Sequence, residues 1–252
     1  MKSIDKSKSA GNTLTASDLA PFVLISIFHL YAEWHGLTSW QHFTKPLLMP
    51  ALAWIVWQHR KSVSRPLKPL LVAALFFSWL GDSLLMYQNL KQIYFIAGLI
   101  AFLIAHVCYT VLFLALQHKS NLSLWCKGLL TFCGLLLVGY GWSIFRLLIP
   151  GLESMKIPVA VYATIITIMC LSAISRYSRT NFSSFILTLV GALLFLLSDT
   201  LLAVNKFHHS IEYAGLWIML TYLTAQLLLV NGIMIHTNTS ISSHMKPDDQ
   251  TD

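Results

Sequence analysis

Two aspartates stand inside long apolar runs in nearly the same seven-residue setting. One is Leu80-Gly81-Asp82-Ser83-Leu84-Leu85-Met86 and the other is Leu197-Ser198-Asp199-Thr200-Leu201-Leu202-Ala203. The chain has only ten acidic residues, and most of the others lie in tails or at segment ends. A carboxylate in the middle of a membrane helix costs roughly 2.5–3.5 kcal/mol on insertion scales, so it marks a functional position by default. Two carboxylates sharing a low-dielectric pocket suit acid–base chemistry, because their surroundings can leave one protonated and the other ionised. Such a pair can protonate a substrate and direct water at the resulting oxocarbenium-like centre, as in glycoside hydrolysis. A lone intramembrane aspartate can equally cap a broken helix or bond to a neighbouring Ser, Tyr or backbone group. The matched pair is what favours function.

The elements that must position these residues follow from composition. Of the 252 residues, 56% are hydrophobic and 11% charged, with a mean hydropathy of +0.66. Soluble domains carry about 25% charge, so the chain reads as an all-α, polytopic membrane bundle. Spanning a bilayer takes about 20 apolar residues. On that ruler eight segments emerge, at about 20–37, 45–59, 67–87, 93–116, 124–146, 156–175, 183–205 and 212–235. The second is short, and Pro46 and Pro50 suggest a kinked, tilted or partly re-entrant element. The expected organisation is a polar cytoplasmic tail over 1–18, an eight-helix transmembrane domain over 19–236, and a polar, disordered tail over 237–252. The net charge of +7 is explained by loops rather than nucleic acid, since no basic face or recognition motif is present. With the N-terminus inside, inner segments hold twelve Lys and Arg and outer segments five, which places both termini in the cytoplasm. In a bacterium the site of residence is the inner membrane.

The two aspartate motifs lie 117 residues apart, on the third and seventh segments. An offset of four spans preserves direction, as in a parallel four-helix repeat. Ala105-His106 and Ala225-Gln226 echo each other in the following spans. Leucine-rich segments also match by chance, and both explanations stand. In this orientation Asp82 and Asp199 sit toward the outer leaflet, with Glu33, His35 and Lys45 on the same side. His106, Tyr109, Tyr222 and Gln226 fall nearer the middle. His106 alone reads equally as a bundle histidine, and Lys45 as an interfacial lysine that snorkels. Cys108, Cys126, Cys133 and Cys170 show no metal or redox spacing. The histidines offer no metal-ligand set, and no GxSxG elbow flanks Ser83 or Ser198. No metal or cofactor is implied.

Thr44-Lys45-Pro46-Leu47, Gly81-Asp82-Ser83-Leu84-Leu85-Met86, the run from Gly98 through Phe102 and His106 to Tyr109, Gly191 to Asp199, and Tyr222-Leu223-Thr224-Ala225-Gln226 together resemble the YhhN family of membrane proteins. Lys206-Phe207 keeps the basic-Phe pattern expected after the second aspartate. The resemblance runs from about residue 40 to 232, and the first span matches only weakly. It implies hydrolysis of the vinyl ether bond of lysoplasmalogens, a lysophospholipid substrate drawn from the bilayer, to a fatty aldehyde and glycerophosphoethanolamine or glycerophosphocholine. On that basis Asp82 and Asp199 are expected to be acid and base in an unassigned order. His106 is expected to position water or tune a carboxylate. Lys45, Tyr109, Tyr222 and Gln226 are expected to hold the phosphate or glycerol. The competing readings are a small lipid transporter or lipid-binding protein, and a different lipid hydrolase. The second would need an activated serine or a metal. Oligomeric state is not readable.

Overall fold

The computed structural model describes residues 15–59, 67–118 and 122–244. The tail before residue 15, the basic residues Arg60, Lys61, Arg65 and Lys119, and residues 245–252 lie outside the described residues. Eight helices follow one another without a strand among the described residues: α1 (Ala16–Trp34), α2 (Thr38–Gln58), α3 (Lys68–Leu85), α4 (Gln92–Ala115), α5 (Leu124–Leu148), α6 (Lys156–Ile174), α7 (Phe182–Phe207) and α8 (Ala214–His244). Six of them, α3 to α8, are long and apolar enough to cross a membrane. The protein is an integral membrane protein. The remaining two, α1 and α2, are comparable in length, but Asp18 and Glu33 on α1 and Gln41, His42 and Lys45 on α2 dilute their apolarity.

The second segment differs from its sequence expectation. It is one continuous helix of 21 residues that begins at Thr38, upstream of the polar residues that hid its start. Pro46 and Pro50 lie inside it. Neighbouring helices can satisfy backbone groups that an intramembrane proline frees, and here the Trp79 indole N–H of α3 donates to the Pro46 carbonyl at 3.0 Å. At the other extreme, α8 runs on to His244, because a helix can continue past the end of its apolar stretch.

The helices pack in a repeated order. In the first half α1 lies on α2, α2 on α3 and α3 on α4; in the second half α5 lies on α6, α6 on α7 and α7 on α8. Between the halves α4 packs on α6, with smaller contacts of α8 on α1 and α2. The order within each half is the one a parallel four-helix repeat would give. The two innermost pairs are the tightest, and small residues let their backbones approach. A Cβ on Gly98 of α4 would lie 3.4 Å from the Gly81 carbonyl of α3, and one on Gly191 of α7 would lie 3.1 Å from the Ala225 carbonyl of α8. The outermost element is α5, on which Leu148 is the sole buried residue. At the opposite end of the bundle from the aspartates, Arg176 is fully buried. It donates to Ser184 at 2.7 Å, and Ser184 donates to the Gly232 carbonyl at 2.6 Å, tying the α6–α7 turn to α8.

Candidate active site

Asp82 lies three residues before the end of α3 and is 3% exposed. Its Oδ2 accepts a hydrogen bond from the Tyr222 hydroxyl of α8 at 2.8 Å. Asp199, on α7, has a side chain 12% exposed. Its Oδ2 accepts from the Tyr162 hydroxyl of α6 at 2.7 Å and stands 3.5 Å from His106 Nε2 of α4. Each aspartate therefore receives a phenol, and each reaches across the bundle to the other half. Asp82 meets α8, while Asp199 meets α4.

Both carboxylates line one cavity of about 240 Å³, together with Glu33, Lys45, Phe102 and Tyr222. Its mouth is polar, with Gln41, His42, Gln88, Asn89 and Asn205. These residues lie at the end of the bundle that carries the α1–α2, α3–α4 and α7–α8 connections. The clustering of polar groups in one half of the bundle is thus present. Lys45 is fixed by its chain neighbours. Thr44 donates to the Trp40 carbonyl at 2.7 Å, so the His29 ring of α1 donates its Nδ1–H to the Thr44 hydroxyl, also at 2.7 Å. Pro46 is held to α3 by Trp79. Lys45 is bracketed by bonds to two other helices.

The remaining expected site residues divide. Tyr222 lines the cavity, whereas Tyr109 and Gln226 do not. They form a buried chain in which the Tyr109 hydroxyl donates to Gln226 Oε1 at 2.6 Å and Gln226 Nε2 donates to Ser78 at 2.9 Å. Ser78 sits one turn before Asp82, so this chain braces the α3 face that presents it. His106 is fully buried against Phe195, with ring centroids 4.6 Å apart, and against Tyr162 at 5.4 Å. Neither of its ring nitrogens has a hydrogen bond among the described residues. Catalytic hydrogen bonds are often long in an unliganded site and tighten in the complex. Ser83 donates to the Trp79 carbonyl and Ser198 to the Ile218 carbonyl, so both hydroxyls beside the aspartates are engaged by backbone.

Tyr162 escaped the sequence reading, although a signal for it existed. It precedes Asp199 by 37 residues, the same interval that separates Lys45 from Asp82. In a parallel four-helix repeat α6 would take the place of α2, which would make Tyr162 and Lys45 counterparts.

The YhhN family model matches residues 40–233. Human lysoplasmalogenase TMEM86B is 31% identical over 214 residues, covering 84% of each chain. Bovine lysoplasmalogenase TMEM86A is 30% identical over 171 residues, and the match covers 66% of each chain. No solved structure matches.

Proposed function

This chain belongs to the YhhN family, and from that premise we propose that it is a lysoplasmalogenase. In this reading it hydrolyses the vinyl ether bond of lysoplasmalogens to a fatty aldehyde and glycerophosphoethanolamine or glycerophosphocholine. The observation that carries the reading is one cavity lined by two aspartates, one buried and one half-buried, each engaged by a tyrosine. A vinyl ether hydrolyses by protonation of the carbon remote from oxygen, which gives an oxocarbenium ion that captures water. One carboxylic acid and one carboxylate supply both needs. His106, beside Asp199, holds that carboxyl group in place or accepts a proton from it. Lys45 meets the phosphate, and Tyr222 orients Asp82 and the glycerol. Tyr109 and Gln226 act one layer back, through Ser78 and the α3 face.

The test is fatty-aldehyde release from a lysoplasmalogen by purified protein, beside Asp82→Asn and Asp199→Asn and with an ester lysophospholipid as control. Aldehyde from the wild type alone, with the ester left intact, is the expected result. Near-normal turnover by both folded variants would remove the aspartates from the mechanism. The repeated helix order also suits a transporter, and lipid flux across vesicles without aldehyde would select that reading.

A further inference from the structure

Resting on the proposed hydrolysis, we infer that the substrate's alkenyl chain lies in the apolar crevice between α5, α6 and α7, which makes Asp199 the general acid and Asp82 the base. The crevice begins at the site itself. A cavity of about 60 Å³ is lined by Asp199 and Tyr162 together with Tyr140, Phe145, Ile166 and Leu196. It shares Gly141, Phe145, Ala163 and Thr167 with a second cavity of about 330 Å³ between α5 and α6, which extends to Leu171. The two adjoin along these four residues, and Asp199 is also on the wall of the polar cavity. Polar cavity, Asp199 and apolar crevice adjoin in that order, the path we assign to the substrate.

That path has the profile of the substrate. A vinyl ether joins a polar glycerophospho group to a hydrocarbon chain, so the bond to be broken sits where polar surroundings give way to apolar ones. Asp199 occupies that junction. The hydroxyls in the crevice wall are already engaged. Thr164 donates to the Ala160 carbonyl, Thr167 to Ala163, Thr200 to Leu196, and the Tyr140 hydroxyl to Thr200. A hydrocarbon occupant thus strands no polar group. The direction fits as well. The mouth of the polar cavity lies at the helix ends, and the crevice runs down α6 from Tyr162 to Leu171. Nine residues of helix are about 14 Å at 1.5 Å per residue. This is roughly half of a ~30 Å hydrocarbon core, the depth of one leaflet. A lysolipid enters sideways from that leaflet without turning over.

The chemistry follows from the orientation. Protonated Asp199, on the chain side, gives its proton to the chain-side carbon of the C=C bond, using the π electrons. The carbon bonded to oxygen becomes the oxocarbenium centre. Asp82, on the polar side, takes a proton from the water whose oxygen bonds to that centre. The resulting hemiacetal then breaks its bond to the glycerol oxygen, which receives the proton from Asp82. The hemiacetal O–H proton returns to Asp199 as the aldehyde forms. One water is consumed, and both carboxyl groups end as they began.

The experiment compares lysoplasmalogens with short and long alkenyl chains, eight and sixteen carbons for example, in purified wild type, Gly141→Leu and Ala163→Leu. Gly141 and Ala163 line both crevice cavities, and a Cβ at Gly141 would already lie 3.1 Å from the Thr167 hydroxyl. The expected result is an at least tenfold fall in the long-to-short ratio of kcat/KM in both variants. Leu135→Ala, on the exposed face of α5, should leave that ratio in place. An unchanged ratio in folded, active Gly141→Leu and Ala163→Leu overturns the crevice assignment while the hydrolysis stands. No aldehyde from the wild type at either length overturns the hydrolysis itself. Should either variant fail to fold, a wild-type crosslink decides the matter. A lysoplasmalogen bearing a diazirine at the chain end should label α5 and α6 between residues 138 and 171, and labelling confined to other helices refutes the assignment.

Discussion

Around Asp82 the neighbours are a lysine, the Tyr222 hydroxyl and a polar mouth; around Asp199 they are the Tyr162 hydroxyl, a buried imidazole and the apolar crevice. The packing order is the same on both sides, α2 on α3 on α4 and α6 on α7 on α8. What has diverged is the set of companions. Lys45 on α2 stands where Tyr162 stands on α6, and Phe102 and His106 on α4 stand 120 residues before Tyr222 and Gln226 on α8. In the proposed reaction the difference gives one residue type two duties. A carboxyl group beside a cation and a polar mouth suits the charged, water-activating role, and one facing hydrocarbon suits the proton-donating role.

The sharpest way to break this comparison is to remove each carboxylate in turn. Asp82→Asn and Asp199→Asn should each lower kcat/KM by about 10²–10⁴-fold, the usual range for a general acid or base. The double variant should be little worse than the poorer single one, because the two groups act as a unit. Their residual pH profiles should differ. Asp82→Asn loses the acidic limb and Asp199→Asn the alkaline limb; the reverse pattern would exchange the assigned roles. A smaller effect is expected from the cation. Lys45→Met should raise KM about tenfold with kcat nearly kept, the signature of binding felt equally in the ground and transition states. Tyr162→Phe, its counterpart, should lower kcat instead, and a Tyr162→Phe enzyme with altered KM alone would place Tyr162 in binding.

Packing supplies the next contrast. Gly81→Ala pushes a methyl group into the Phe102 ring, whose nearest atoms would be 2.6 Å away. Overpacking of this kind typically costs about 1–3 kcal/mol, and the loss should appear as a lower unfolding midpoint in detergent. Gly139→Ala, inside α5 where a Cβ meets nothing within 4 Å, should leave the midpoint the same or slightly higher, since Ala favours the helix. The smallest effect belongs to the entrance of α1. The Thr15 hydroxyl and backbone N–H donate to Asp18 at 2.7 and 2.8 Å, and they hold its carboxyl below the usual carboxylate range. A carboxyl lowered in the folded state stabilises above its unfolded pKa and loses that contribution as pH falls through the folded value. Wild-type stability should therefore drop slightly in acid below about pH 4, and Asp18→Asn should flatten that drop.

The sequence disclosed what was chemically out of place. A carboxylate in an apolar run is conspicuous, so Asp82 and Asp199 were legible, as was the helical class. Tyr162 was not, because a tyrosine in an apolar helix is unremarkable until the repeat sets it against Lys45. Tyr109 and Gln226 were recognised as polar and central, but whether such a pair faces a cavity or each other depends on helix rotation, which composition does not encode. Segment ends shifted for a related reason. Hydropathy reports which residues suit lipid, whereas a helix ends where its backbone loses partners, and α2 begins among polar residues that hydropathy discards.

With only Leu148 buried, α5 shares little surface with the rest of the protein. Within this chain, the wall it forms along the crevice has no further helix behind it among the described residues. If the alkenyl chain lies in the crevice as proposed, the packing of the surrounding lipid bears on the bound chain through α5, and turnover should vary between bilayers of different thickness.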